Sequence, residues 1–168
     1  MNPAGQQELL TVRSGLAPNA QALLKLVQHG LEHDGFRSLA FEEMPDASLD
    51  DRRLRHRTLE LVVSRVWDLV SFKRCDDPDF QYVIERCLLL SKVRVVDIDI
   101  HFGINFSSEQ LCGALRNGLQ CTASLHTLVL GAIRMTEAAA QMVGEGLRAC
   151  RSLRSLEIVS TIFDDEAG

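Results

Sequence analysis

The stretch Asp97-Ile98-Asp99-Ile100-His101 alternates polar and apolar residues. In an extended strand such alternation points Asp97, Asp99 and His101 to one face. Two carboxylates and an imidazole could there ligate a divalent metal, and a metal-dependent enzyme centred on these three residues is one expectation. A simpler one buries Val96, Ile98 and Ile100 and leaves the polar three lining a solvated surface. A metal centre also needs a further ligand and hydrogen-bond partners for its ligands. The repeat described below instead sets Val129 and Gly131 beside these residues, so no metal ligand is assigned.

Other reactive residue types lead no further. His29 and His33 stand four apart on one helical face, without the glutamate of an HExxH motif or a third ligand. His56 belongs to the basic run "RRLRHR", which follows the acidic "DASLDD"; acids before bases suit the start of a helix and internal ion pairing. Cys75 in "FKRCDD" has cations before it, but carboxylates follow at once. The sequence holds no glycine-rich phosphate loop and no GxSxG elbow. No catalytic residue, cofactor or enzymatic activity is therefore expected.

What positions these residues is a repeat. The segments "SLHTLVL" from Ser124 and "SLRSLEI" from Ser152 share the pattern apolar-x-x-apolar-x-apolar. The same pattern fits Val93, Val96 and Ile98, and Phe36, Leu39 and Phe41. "VWDLVS" supplies a degenerate copy with Val66 and Leu69 in place and Ser71 at the third position. A first, weaker copy starts at Gln7 with Leu10 and Val12. Strands are thus expected near 36–41, 66–71, 93–98, 125–130 and 153–158, at intervals of 27 to 32 residues, with residues 1–29 as a degenerate first repeat. A sustained period of this length outweighs any local pattern.

Between strands the periodicity becomes helical. In "MTEAAAQMVGEGLRAC" one stripe carries Ala139, Met142, Val143, Leu147 and Cys150. Phe106-Ser107, Met135-Thr136 and Phe163-Asp164 each place an apolar residue before a helix N-cap type, and Ser107 has Gln110 three residues on. Strands separated by such helices must pair in parallel, and one unit cannot bury its own apolar side. Stacked units can. The expected fold is α/β: a curved βα solenoid with a parallel concave sheet and helices on the convex side.

These triplets, with the helix residues Leu111, Leu115, Leu119 and Leu147, resemble leucine-rich repeats of the ribonuclease-inhibitor-like subtype, which also occurs in NOD-like receptors and Ran GTPase-activating proteins. The resemblance implies one repeat domain over residues 1–168, a horseshoe segment of about five to six repeats. It departs from the subtype after each strand: three residues beyond the last apolar position stand Met44, Arg74, His101, Ile133 and Thr161, none of them the usual Asn or Cys. The last copy stops at "IFDDEAG", so a fragment of a longer array is expected, or an end covered by a partner or by self-association.

The position after each strand's first apolar residue reads Arg37, Trp67, Arg94, His126 and Arg154. On strands about 4.8 Å apart these would stack as a mostly basic stripe with one tryptophan. Further along come Asp68, Asp97, Asp99 and Glu157. Arg and Trp are enriched at interface hot spots. The candidate partner-binding residues are therefore Arg37, Trp67, Arg94, Asp97, Asp99, His126, Arg154 and Glu157, against the alternative of an ordinary solvated, ion-paired face. A protein-interaction scaffold is the expected function, with the repeat part of a small-GTPase regulator or of a substrate adaptor as variants.

Composition agrees. With 46% hydrophobic and 24% charged residues the chain has a globular balance, and its net charge of −5 disfavours general nucleic-acid binding. No apolar run reaches the length of a membrane span, and "MNPAGQQELL" lacks signal-peptide features. The five cysteines, Cys75, Cys87, Cys112, Cys121 and Cys150, form no CxxC pair and suit small buried hydrophobes in a reducing compartment, cytoplasm or nucleus.

Overall fold

The computed structural model describes residues 8–13, 20–32, 36–42, 58, 60–61, 67–74, 79–90, 92–99, 108–160 and 162–163. His33, His56, Cys75, Ile100, His101 and the Ser107 cap lie outside them. Along the chain run β1 (Glu8–Arg13), α1 (Ala20–Glu32), β2 (Phe36–Glu42), β3 (Leu69–Lys73), α2 (Asp79–Leu90) and β4 (Val95–Asp99). There follow α3 (Ser108–Cys121), β5 (Thr127–Gly131), β6 (Arg134–Met135), α4 (Glu137–Ala149), β7 (Ser155–Val159) and β8 (Ile162–Phe163). The fold is α/β.

Six strands form one parallel sheet whose spatial order, β1-β2-β3-β4-β5-β7, is the order of the chain. Parallel neighbours cannot be joined by a hairpin, which is why α1, α2, α3 and α4 each separate two of them. The sheet is open, with β1 and β7 at its edges. β6 and β8 form a second, two-stranded parallel pair, Arg134 opposite Ile162 and Met135 opposite Phe163.

The repeated triplet explains the core. Pairing aligns Leu10, Leu39, Val70, Val96, Leu128 and Leu156 in one row, and Val12, Phe41, Phe72, Ile98, Leu130 and Ile158 in the next. From β2 to β5 every member of both rows is fully buried, and the rings of Phe41 and Phe72 stack with centroids 5.5 Å apart. Each such side chain contributes about 2 kcal/mol of transfer free energy. Helix residues complete the core at helical spacing: Val83, Ile84, Cys87 and Leu88 on α2, Leu111, Cys112, Leu115 and Leu119 on α3, Ala139 and Val143 on α4.

The register corrects one sequence expectation. Val70 pairs with Leu39 and Phe72 with Phe41, so the triplet of β3 is Trp67-Val70-Phe72, one residue later than the copy read from Val66. Val66 and Leu69 fit the apolar pattern at two positions, whereas the frame beginning at Trp67 fits it at all three. Ser71 then falls between the two buried rows.

Two glycines set helix spacing. A Cβ on Gly118 would lie 2.6 Å from Leu88 side-chain atoms, and one on Gly146 would lie 2.9 Å from the Arg116 backbone. The close approach of α3 to α2 and of α4 to α3 depends on those absent side chains. The N-cap of α4 matches expectation, with Thr136 Oγ1 accepting from the Ala139 N–H at 3.2 Å.

A turn also recurs. Arg74, Ala132 and Ser160, each directly after a strand, have φ of 53°, 51° and 53°. Left-handed backbone is costly for residues with a Cβ. Here it recurs at equivalent positions because it aims an N–H at the adjoining strand: Arg74 donates to the Asp99 carbonyl at 3.0 Å and Ala132 to the Val159 carbonyl at 2.9 Å.

Candidate functional site

The side chains between the buried rows belong to the other face of the sheet. Pairing aligns Ala40, Ser71, Asp97, Val129 and Glu157 there, then Glu42, Lys73, Asp99, Gly131 and Val159. Asp97 and Asp99 are partly exposed. Ser71 Oγ donates to Asp97 Oδ2 at 3.3 Å. Gly131 leaves space beside Asp99, since a Cβ there would approach Asp99 Oδ1 to 3.3 Å.

His101 lies outside the described residues, so the expected carboxylate–imidazole trio is seen only in its two carboxylates. Their strand neighbours are Ser71 and Lys73 on one side and Val129 and Gly131 on the other. Among the described residues no three His, Cys, Asp or Glu side chains cluster to hold a metal.

The stripe at the start of the strands is partly as expected. Register places Arg37, Asp68, Arg94, His126 and Arg154 in line. Backbone bonds run along it: the Asp68 N–H donates to the Arg37 carbonyl at 2.8 Å, His126 to Arg94 at 2.8 Å, and Arg154 to His126 at 2.9 Å. Trp67 is not in this line. It occupies the first apolar position alongside Phe36, Val93, Leu125 and Leu153, and it is fully buried, so it offers no surface to a partner. Asp68 takes its place, and the complete triplet Trp67-Val70-Phe72 is the signal that could have revealed it.

Asp68 changes the electrostatics of the stripe. Arg37 Nη1 lies 3.8 Å from its Oδ2. Arg94 and Arg154 are exposed, and among the described residues neither has a carboxylate within ion-pairing distance. Between them the His126 Nδ1–H donates to the Ser124 carbonyl at 2.6 Å, which fixes the ring and leaves Nε2 for an external group. Glu157, three residues beyond Arg154, is exposed on β7. Among the described residues Arg94 and Arg154 are thus exposed guanidinium groups without an ion-pair partner, and Asp97, Asp99 and Glu157 lie further along their strands.

The thiols follow their burial. Cys87, Cys112 and Cys150 are buried and Cys121 is exposed, the last contrary to the expectation of small buried hydrophobes. Burial pushes the Cys87 thiol well up, and it pushes Cys112 up to about 12, with Glu109 adding to the effect. Neither forms an appreciable thiolate at neutral pH. Of the two helix histidines, His29 is exposed on α1. Among the described residues no helix is long and apolar enough to cross a membrane. Comparison of the chain with protein-family models, with curated proteins and with solved structures finds no match.

Proposed function

We propose that this chain is an array of leucine-rich repeats of the ribonuclease-inhibitor-like kind, curved so that the face bearing Arg94, Asp97 and Arg154 is concave, and that it binds a protein partner there without catalysing a reaction. The observation that carries this function is the pair Arg94 and Arg154, exposed in register and unpaired among the described residues while Arg37 in the same line is paired. Interface hot spots favour arginine, and a sheet presents it on a rigid support. A face of both signs suits a protein surface of complementary pattern better than a polyanion. The corrected frame supports the family resemblance too, because three residues beyond Phe72 stands Cys75, a residue type the subtype uses at that position.

The test is affinity capture from cell extract with the intact chain and with Arg94→Glu/Asp97→Lys, after circular dichroism shows both folded. A protein captured by the first and lost from the second supports binding through this face. Equal capture by both overturns it.

A further inference from the structure

Charge is segregated along β4, β5 and β7. The stretches leading into these strands, residues 86–96, 110–126 and 146–154, contain no Asp or Glu and include Lys92, Arg94, His126, Arg151 and Arg154. The next row, Val95, Thr127 and Ser155, brings no acid either. Carboxylates return further along, as Asp97 and Asp99 on β4 and Glu157 on β7. Within the basic end, Arg94, His126 and Arg154 hold matching backbone positions. The Arg94 carbonyl accepts from His126 at 2.8 Å and Thr127 at 3.0 Å, and the His126 carbonyl accepts from Arg154 at 2.9 Å and Ser155 at 3.0 Å. The two arginines therefore flank His126 at one strand spacing each, about 10 Å apart at Cα. Asp68, the neighbour of Arg94 on its other side, is engaged by Arg37 at 3.8 Å. The trio lies on the inner side of Arg154, so whatever adjoins the outer edge of β7 does not enter the argument.

We propose that Arg94, His126 and Arg154 form a subsite for one phosphate monoester, carried by a phosphorylated serine or threonine in an extended segment of the partner protein. This rests on the reading of the face as a protein-binding surface and names what the partner presents to it. A tetrahedral anion over His126 falls between the two guanidinium groups, and its three non-ester oxygens match three donor side chains. A carboxylate has two oxygens and leaves one donor unmatched. The imidazole is held through Nδ1 by the Ser124 carbonyl at 2.6 Å, and its Nε2 shares one proton with a phosphate oxygen. Asp97 and Glu157 stand three residues beyond Arg94 and Arg154, about 10 Å along their strands. They repel any polyanion that continues in that direction, which disfavours a nucleic acid or an anionic lipid surface. They favour a segment with a single phosphate and a basic residue about 10 Å from it.

The probe is a blocked fluorescent peptide, Gly-Ser-Gly-Gly-Lys-Gly with its serine phosphorylated, titrated into the full chain and followed by anisotropy. Saturable binding is expected, at least about tenfold weaker without the phosphate and about fivefold weaker with aspartate in place of phosphoserine. Arg94→Gln and Arg154→Gln should each weaken it about fivefold, with circular dichroism unchanged. Glutamate in place of the peptide's lysine should weaken it about threefold, and Asp97→Lys should reverse that preference. Absence of binding, equal binding of the unphosphorylated peptide, or indifference to both arginine variants overturns the proposal. So does tighter binding of a single-stranded oligonucleotide or of phosphatidylserine vesicles at equal phosphate concentration, for then the ligand is a polyanion. A chain that dimerises in sedimentation and becomes monomeric with Arg94→Gln/Arg154→Gln also overturns it, since a second copy is then the occupant. Phosphatase treatment of the cell extract separates this proposal from the reading it rests on. Capture that survives the treatment, yet is lost with Arg94→Glu/Asp97→Lys, overturns the phosphate subsite and leaves the protein-binding face standing.

Discussion

The two edges of the sheet end the same apolar row differently. Leu10 on β1 is 6% exposed and shares the core with Val27 of α1, whereas Leu156 on β7 is 42% exposed. Position at an edge therefore does not decide burial. The crossover helix beyond each strand does, because a row of leucines on a parallel sheet leaves water only when something lies over it. Between the edges, Leu128 sits one strand from Leu156 and is fully buried. The contrast separates what the triplet specifies, which is pairing and register, from what cover specifies, which is stability.

Truncations along that row test this most directly. Leu128→Ala should lower the unfolding free energy by about 3 kcal/mol in urea titration, and Leu156→Ala by less than about 1 kcal/mol. Equal losses would show that β7 is as well covered as β5. A second comparison lies within α4. Gly146→Ala forces a Cβ against the Arg116 backbone and should cost about 2 kcal/mol, whereas Gly144 has no atom within 4 Å of that position, so Gly144→Ala should gain about 1 kcal/mol from helix propensity.

The left-handed turns give a finer comparison. Ala132→Val places a branched side chain in left-handed backbone that is bonded to Val159 and should cost about 1 kcal/mol. Ser160→Val should cost roughly half as much in the same titration, since the edge can relax. Equal costs would show Ser160 to be as firmly anchored as Ala132.

The smallest effect concerns the thiols. Cys112 is raised from 9.0 to about 12 by burial, so the folded state disfavours its thiolate. Its contribution to stability is complete below pH 9.0 and is lost as the pH rises through about 12. In thiol titration at neutral pH Cys121 should react first of the described cysteines, and Cys87 and Cys112 only on unfolding.

Strand spacing and parallel pairing were legible because the triplet is periodic and its core is generic. The face was legible in part: Arg37, Arg94, Asp97, Asp99, His126, Arg154 and Glu157 fall at the strand positions their numbers imply. Trp67 did not, because a hydrophobicity pattern judges valine at 66 and tryptophan at 67 alike and only pairing against Leu39 and Phe41 separates the frames. The left-handed turns were not legible at all. Neither Arg nor Ala marks a left-handed turn by composition, and at Arg74 and Ala132 the conformation goes with the bond each makes to the adjoining strand.

Strand order that equals chain order also fixes the molecule's response to force. Tension applied between β1 and β7 meets an edge strand at each side, so the sheet peels from its margins rather than shearing through its middle. Releasing one strand and its crossover helix frees roughly 28 residues, which extend to about 100 Å. A stretched molecule would therefore lengthen in near-equal steps. The β7 margin yields first, as Leu156 is far less buried than Leu10 of the same row.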